Sequence, residues 1–406
     1  MITKMKGNNR VLVFTSLGHF INDSFLVLFP VLSMYYLSLG INATAIGILG
    51  AVYNFLSGFL GAPIGRISDR TGKYAELMFM GFLLIFLSGI FFILSFFNSD
   101  LLIKYVTVSI ASLFLGSGLA FYHPLGGAIL QLSYDKDEAP KALGINGSMG
   151  SLGRAIAPYV LVVLFDDLGV TKGLLAVLIV TLMLSFTTYY GLKEFSYKQE
   201  KNLVQEGEMA SLKPYMYILL PLTVIVFVRS MFIAGVQLFA PTYLFMLYKS
   251  HYVAGVFLTI SYATAIIGQP YFGKLTSQKG GRFVVILTTS LSTVFYLLFV
   301  YLKNYYVQLL SFAIFAFFAF SGFPNLLGYV SQVVDKKVFA RANGVVWSYG
   351  NMLGGALGMI IGGPIAGSFG FFYAMLTYGI LGVVSSILLI FLPKTAKTET
   401  EPLRVK

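Results

Sequence analysis

The stretch that decides the fold is GRISDRTGK, residues 65–73, a short charged segment between two long apolar ones. Residues 43–65 before it and 75–97 after it are each long enough to cross a bilayer, which takes about 20 mostly apolar residues in a helix. The two glycines of the charged segment permit a tight turn between antiparallel helices. We therefore predict a helical hairpin that crosses a membrane twice, with residues 65–73 as its turn.

The same alternation of apolar and polar stretches runs through all 406 residues. Apolar residues make up 57% of the chain and charged residues 11%, whereas a soluble protein needs roughly a quarter of its residues charged. Lipid must therefore be the solvent for most of the chain, and we predict an all-α integral membrane fold with twelve spans. They lie at residues 11–38, 43–65, 75–97, 104–131, 142–165, 172–191, 214–247, 252–273, 283–301, 305–332, 342–367 and 369–392.

One long polar stretch, residues 192–213, interrupts this pattern and leaves six predicted spans on either side of it. We interpret it as a cytoplasmic linker. It would join an N-terminal six-helix bundle, residues 1–191, to a C-terminal six-helix bundle with a short cytoplasmic tail, residues 214–406.

An internal repeat supports two related halves. A shift of 200 residues pairs seven identical residues within 27 positions, where about two are expected from residue frequencies. Two parallel six-helix repeats are typical of transporters whose site lies between the halves near the membrane midplane. The identical pairs are Pro124/Pro324, Asp135/Asp335, Lys136/Lys336, Ala142/Ala342, Gly144/Gly344, Ser148/Ser348 and Gly150/Gly350.

The basic residues predict how the chain is oriented. With both termini in the cytoplasm, 22 of the 28 Lys and Arg residues fall in cytoplasmic segments and only four in outer loops. This asymmetry follows the positive-inside rule. We therefore expect a multi-pass protein of the plasma membrane with both termini cytoplasmic. The formal charge of +12 then faces the anionic lipid bilayer, and no nucleic-acid partner is needed to explain it.

We expect the charged turn of the first hairpin to act as a cytoplasmic gate. Between Gly65 and Gly72, the side chains of Asp69, Arg70 and Lys73 can form a charged cluster that closes one state and opens in another. The alternative is a solvated basic turn that only sets the topology.

This turn resembles the signature loop of the major facilitator superfamily, and together with twelve spans and the repeat the resemblance covers nearly the whole chain. A narrower resemblance rests on GHFIND at 18–23, FYHP at 121–124 and GSLGRAIAP at 150–158. Their combination is similar to the fosmidomycin-resistance branch, which implies proton-coupled drug efflux. Leu125 and Ala157 depart from that branch, which often has an acidic residue and usually a glycine at those places, so the drug itself is not implied.

Five ionisable residues are predicted to lie deep in the membrane, where a charge costs roughly 2.5–3.5 kcal/mol and so requires a partner or a function. They are His19, Asp23, His123, Arg154 and Arg229.

His19, Asn22 and Asp23 have the i, i+3, i+4 spacing that places side chains on one helix face. We predict that Asp23 carries a coupled proton and that His19 tunes it. The alternative is a static pair of Asp23 with His19 or Arg154 that only fixes helix packing. The predicted substrate-binding residues are Asn22, His123, Arg154 and Arg229.

These features favour a secondary transporter that exports a drug-like or anionic small molecule against protons by alternating access. An importer or exchanger of organic or phosphorylated anions is the alternative within that class, and the two arginines favour it somewhat. An enzyme is disfavoured because the chain has no cysteine and only one deep carboxylate. A channel lacks its pore-loop pattern, and a primary pump lacks its phosphate-binding loop. We expect a monomer with no cofactor and no metal, powered by an ion gradient; the substrate, direction and coupling ion stay open.

Overall fold

The computed structural model describes residues 9–135, 138–195, 212–321, 329–330, 332–335 and 338–392. Within these residues every regular element is a helix. Eleven helical segments of this part are long and apolar enough to cross a membrane, and a shorter apolar helix, Tyr305–Phe320, stands at the tenth predicted position. The molecule is therefore an all-helical membrane protein of twelve spans, as predicted.

The helices of the first half define spans 1 to 6. Span 1 comprises Asn9–Leu26, Leu28–Tyr36 and the 3-10 turn Leu37–Leu39, and span 2 comprises Ala43–Phe59 and Gly61–Thr71. Spans 3 to 6 are Tyr74–Phe97, Leu101–Ser133, Ala139–Leu168 and Val170–Leu192.

The helices of the second half define spans 7 to 12. Spans 7 to 10 are Met216–Tyr248, His251–Lys279, Gly281–Tyr301 and Tyr305–Phe320, with a 3-10 turn Lys213–Tyr215 before the first of them. Span 11 comprises Phe339–Val345, a π-helical segment Val346–Met352 and Leu353–Phe369, and span 12 is Phe371–Leu388 with the turn Leu389–Phe391.

The predicted linker and tail fall mostly on residues that the structure does not describe, 196–211 and 393–406. The division into two six-helix bundles joined by residues 192–213 therefore stays a prediction.

Polar caps begin several helices on the side of the molecule opposite Asn9, which we call the distal side; the side of Asn9 is the proximal side. The Asn42 side chain accepts a hydrogen bond from the Ala45 amide at 2.8 Å, and Asp100 and Asn304 cap spans 4 and 10 in the same way. Such caps satisfy backbone N–H groups that a helix leaves free at its start. The first backbone N–H groups of these helices are therefore satisfied by the chain itself.

Span 1 is broken near its middle, which its apolar pattern did not predict. Proline removes a backbone donor and its ring clashes with the carbonyl group four residues earlier. Pro30 stands four residues after Leu26, where the first helix of the span ends. The break therefore follows from the sequence, and it separates the polar face near Asp23 from the distal half of the span.

The turn of the first hairpin is shorter than predicted. Span 2 continues as a helix through Thr71, and among the residues of this turn only Gly72 has a left-handed conformation, with φ of 71°. The prediction that Gly65 forms part of a tight turn is therefore wrong. The reason is that the helix ends at Gly72, which takes the left-handed conformation and donates its N–H to the Ser68 carbonyl, so that Gly65 lies within the helix.

Glycines of span 11 pack closely against other helices. A side chain at Gly354 or Gly358 would collide with the backbone of span 7. On another face of span 11, a Cβ at Gly363 would lie 2.6 Å from the Ala43 carbonyl oxygen of span 2. Small residues allow helix backbones to approach where no hydrophobic force drives association. Span 11 thus links span 7 of its own half to span 2 of the other half.

Candidate functional site

The deep ionisable residues of the first half meet at Asp23, whose side chain is 1% exposed. Its Oδ2 lies 3.2 Å from Nη1 of Arg154 on span 5 and 3.4 Å from Nε2 of His19, one turn earlier on span 1. Its Oδ1 lies 3.6 Å from Nε2 of His123 on span 4. Three spans therefore hold one carboxylate among three basic side chains, which we call the Asp23 cluster.

The two oxygens of Asp23 differ in their hydrogen bonding. Oδ1 accepts a hydrogen bond from the Asn22 side-chain amide at 3.1 Å, whereas Oδ2 has no hydrogen-bond partner. Arg154 donates through Nη2 to the Ser151 hydroxyl at 3.1 Å and faces Oδ2 as a charge. Oδ2 is therefore paired electrostatically and still has the capacity to accept a proton.

Two glycines of span 5 make this close arrangement possible. A Cβ at Gly150 would collide with the His19 imidazole and lie 2.8 Å from Asp23 Oδ2, and a Cβ at Gly153 would lie 2.5 Å from the Phe20 carbonyl oxygen. Any larger residue would hold spans 1 and 5 apart. Gly150 belongs to a sequence stretch that carried the family resemblance, and its contact with the cluster appears only in the structure.

The members of the cluster differ in how far they are exposed. The His123 side chain is 58% exposed and that of Arg154 is 24% exposed, whereas His19 is 11% exposed. Water or a solute can therefore reach His123 and Arg154 while Asp23 stays covered.

Arg229 does not join the Asp23 cluster. It is 5% exposed on span 7, where its Nη2 donates to the Ala319 carbonyl of span 10 at 3.0 Å and its Nε has no hydrogen-bond partner. Among the described residues no carboxylate lies within ion-pair distance of it. Arg229 is thus a buried cation in the other half of the chain, apart from the Asp23 cluster.

The predicted cytoplasmic gate is not a charged cluster in this conformation. Asp69 accepts a hydrogen bond from the Tyr74 hydroxyl at 2.9 Å. Within the described ranges, neither Asp69 nor Arg70 nor Lys73 takes part in an ion pair. The reason is that Asp69 and Arg70 lie on the last turns of a helix that continues beyond the predicted span.

One group of three residues has the spacing of a metal site: ligand atoms of His19, Asp23 and His123 lie within 4.8 Å of one another. The Arg154 guanidinium, 3.2 Å from the same carboxylate, would repel a metal cation there. These residues together with Arg154 are therefore better suited to binding a proton at Asp23 and an anion at Arg154 than to binding a metal ion.

A second polar cluster, which sequence reasoning missed, joins the two halves on the distal side. Asp166 at the end of span 5 lies 3.0 Å from Nδ1 of His251 at the start of span 8 and accepts a hydrogen bond from the Tyr35 hydroxyl at 2.9 Å. The His251 ring stacks on Tyr35 and Phe245, with 4.2 Å between ring centroids in both cases. We call Tyr35, Asp166 and His251 the distal latch. Polar residues are common at the ends of membrane-spanning helices, so the sequence alone does not predict this contact.

Further hydrogen bonds between the halves accompany the latch. Tyr252 donates to Asp167 on the distal surface, and the buried hydroxyls of Ser33 and Thr242 lie 2.8 Å apart. The distal side is therefore closed in this conformation.

Comparison with known proteins agrees with this architecture. No curated protein matches the sequence. The sequence matches the Major Facilitator Superfamily over residues 12–350 and 250–405. The fold is similar to that of a bacterial homologue of the human lysosomal transporter Spinster, in an inward-facing and occupied conformation, with a TM-score of 0.77, 13% identity and coverage of 97% of this chain and 98% of that one. It is also similar to the nucleoside transporter NupG, with a TM-score of 0.70, 16% identity and coverage of 96% and 99%.

At these identities the two structures show a shared fold and leave the substrate open. The family match covers most of the chain and agrees with the twelve spans of the fold. The chain therefore belongs to the Major Facilitator Superfamily and is a secondary transporter, not an enzyme.

Proposed function

We propose that this protein moves a small organic anion together with a proton by alternating access. In this proposal Asp23 binds the proton and Arg154 binds the anion. The observation that carries it is the Asp23–Arg154 pair, 3.2 Å apart, with the carboxylate covered and the guanidinium partly exposed.

The pair couples proton and anion because the Asp23 carboxylate and the anion compete for the same positive charge on Arg154. While Asp23 is ionised it neutralises Arg154, and an anion gains little there. Protonation of Asp23 releases the guanidinium, which then pairs with the anion and can do so with two parallel hydrogen bonds. Proton and anion therefore favour each other's binding and travel in the same direction.

Other predicted residues have places in this scheme. His123, exposed beside Asp23, is the route by which a proton reaches the carboxylate, and Asn22 steadies Oδ1. Arg229 has an unpartnered Nε and so keeps the capacity to bind an anionic group of a larger substrate in the second half.

Efflux of a drug-like compound in exchange for protons is the second candidate, favoured by the resemblance to the fosmidomycin-resistance branch. Exchange requires that substrate and proton exclude each other. A cationic substrate would meet that condition, because it would compete with the proton for Asp23. The sign of the proton movement therefore separates the two candidates.

The distal latch has a natural role in this cycle. With both termini in the cytoplasm of a cell whose plasma membrane holds the protein, the distal side is the outer side. In this proposal the latch closes the outer side in this conformation, and it must break when the transporter turns outward. We propose a monomer that needs no cofactor and takes its energy from the proton gradient.

The test uses purified protein in lipid vesicles, with proton movement followed as fosmidomycin, a panel of organic phosphates and a panel of organic cations are added in turn. Proton uptake with an active compound, lost in Asp23→Asn, is expected. Asp100→Asn is the matched control, because Asp100 is an exposed helix cap and asparagine caps equally well. Proton release would instead favour exchange. If the protein transports substrate without moving protons, and Asp23→Asn transports it equally well, Asp23 only serves helix packing.

A further inference from the structure

We infer that Tyr122 and Asn146 are positioning residues that fix the tautomer of His19, so that His19 Nε2 and Asp23 Oδ2 together form the proton site. The tautomer follows from hydrogen-bond geometry alone. Its use in transport rests on the proposed function.

The argument starts at the backbone carbonyl of Thr15, which can only accept hydrogen bonds. The Tyr122 hydroxyl lies 2.7 Å from it and must therefore be the donor. A tyrosine hydroxyl has a single proton. Towards every other neighbour the Tyr122 oxygen is then an acceptor.

That result fixes the orientation of Asn146. Its Nδ2 lies 2.8 Å from the Tyr122 oxygen and donates to it. A flipped amide would place Oδ1 against a hydroxyl oxygen that has no proton left to give. In the observed orientation Oδ1 lies 3.1 Å from the Tyr122 oxygen, whose proton is held by the nearer Thr15 carbonyl, and 2.9 Å from Nδ1 of His19, from which it accepts a hydrogen bond. Because an amide oxygen only accepts, Nδ1 of His19 carries the hydrogen.

In a neutral imidazole only one nitrogen carries a hydrogen, so Nε2 of His19 is bare. It faces Asp23 Oδ2 at 3.4 Å, and Oδ2 also has no hydrogen bond. Two acceptors thus face each other across a gap that one added proton would bridge. Among the described residues, the other charged or titratable groups against the pair are Arg154, against Oδ2, His123, against Oδ1 and the His19 ring, and Tyr122, stacked on His19.

Burial protects this arrangement. Tyr122 is 1% exposed and Asn146 5% exposed, and the Tyr122 ring stacks on His19 with centroids 4.7 Å apart. Water therefore does not compete for the two hydrogen bonds that set the tautomer.

We call the hydrogen-bonded chain from Tyr122 through Asn146 to His19 the relay. It explains how the His19–Asp23 pair can bind a proton and does more than fix helix packing. Without it, His19 would place its hydrogen on Nε2 and donate to Asp23, and the pair would be satisfied without an added proton. With it, the hydrogen is kept on Nδ1 and the pair stays open. The role of Tyr122 and Asn146 is thus to keep the site able to accept a proton.

Nitrogen NMR of the full-length protein tests this inference directly, because the chain has only three histidines. Histidine labelled with ¹⁵N gives three rings, assigned with His123→Gln and His251→Gln. At alkaline pH we expect His19 with a protonated Nδ1 and a bare Nε2. A protonated Nε2 in the wild type would overturn the inference.

Two variants extend the test to the positioning residues. Asn146→Leu and the conservative Tyr122→Phe, which keeps the stacked ring, are expected to shift the hydrogen of His19 from Nδ1 to Nε2. Tyr36→Phe is the matched control, because the hydroxyl of this buried tyrosine forms a hydrogen bond with Ser95 at 3.0 Å, far from the relay. Loss of that hydroxyl should leave the His19 spectrum unchanged. Unchanged His19 spectra in both relay variants would contradict the assignment.

The experiment also separates this inference from the proposed function. The spectra need neither substrate nor transport, so a missing proton signal in vesicles would refute the proposed function and leave the tautomer standing. If transport is proton-coupled, the proton uptake that accompanies it should fall severalfold in Asn146→Leu and stay unchanged in Tyr36→Phe. Full uptake in Asn146→Leu would show that the relay does not serve the proton site.

Discussion

Replacing Gly150 by alanine adds one methyl group to the space between span 5 and the Asp23 cluster. The new Cβ would collide with the His19 imidazole and lie 2.8 Å from Asp23 Oδ2. Both groups must retreat, because the glycine sits in a helix whose backbone is held by neighbouring turns. We expect the substitution to impair transport while the fold is retained.

The size of the effect follows from the displacement. An ordinary contact distance is about 3.5 Å, so Oδ2 must recede by about 0.7 Å. If that motion carries it away from Arg154, the ion pair lengthens from 3.2 Å to about 3.9 Å. At an effective dielectric constant of about 20 the Coulomb energy then weakens by about 1 kcal/mol, roughly a fivefold change in an equilibrium. Displacement of His19 adds to this figure.

The assay is substrate-driven proton movement in vesicles, with Gly147→Ala as the matched control. Gly147 lies one turn earlier on the same helix, and a Cβ there would meet nothing within 4 Å. Both variants gain the same helix propensity from alanine. Because the Asp23–Arg154 pair couples proton to anion, we expect the proton movement that accompanies substrate to fall about fivefold in Gly150→Ala, by the Coulomb argument above, and to stay at the wild-type level in Gly147→Ala.

A thermal unfolding curve for each variant shows whether the fold survives. Wild-type rates in a folded Gly150→Ala protein would refute the reasoning, because the close approach of spans 1 and 5 would then be irrelevant to transport. An equal loss of proton movement in both variants would show a general effect of alanine on the helix, and would mean that the contact with His19 is not the cause.

The remaining predictions concern the distal latch and the second arginine. Asp166→Asn removes the charge that faces His251, so the distal side should open more often and labelling of Ser33→Cys by an impermeant maleimide should rise severalfold. The chain has no cysteine of its own, so the label reports this site alone, and unchanged labelling would mean that the latch does not hold the distal side closed. Arg229→Met removes a buried cation without a carboxylate partner in the described part of the chain, so thermal stability without substrate should not fall. An active anion should raise the thermal stability of the wild type but not that of Arg229→Met. If the anion still stabilises Arg229→Met, Arg229 is not part of the anion site.

Parts of the site could be predicted because they lie on one helix. His19, Asn22 and Asp23 share a face of span 1 by spacing alone, and their depth identifies them as groups that require partners. The identity of those partners depends on how far each neighbouring helix is rotated and shifted. For that reason Arg154 and Arg229 looked equivalent in the sequence, whereas only Arg154 contacts Asp23.

The errors have similar causes. Apolar length marked the end of span 2 at residue 65, but a helix continues beyond its apolar stretch as long as its backbone hydrogen bonds are kept, here to Thr71. The π-helical segment Val346–Met352 of span 11 has no counterpart in the periodicity of the sequence. Hydropathy measures what the bilayer requires, and it does not fix where a helix ends.

The sequence by itself determined the all-helical membrane fold, the number of spans and the face that holds Asp23. These follow from the bilayer, which sets span length and makes each buried charge costly. Only the tertiary structure decided that Gly150 makes room for the cluster, that Asn146 sets the tautomer of His19, and that Asp166 meets His251, 85 residues further along the chain. Such contacts join different helices, and their geometry depends on the packing of the whole bundle.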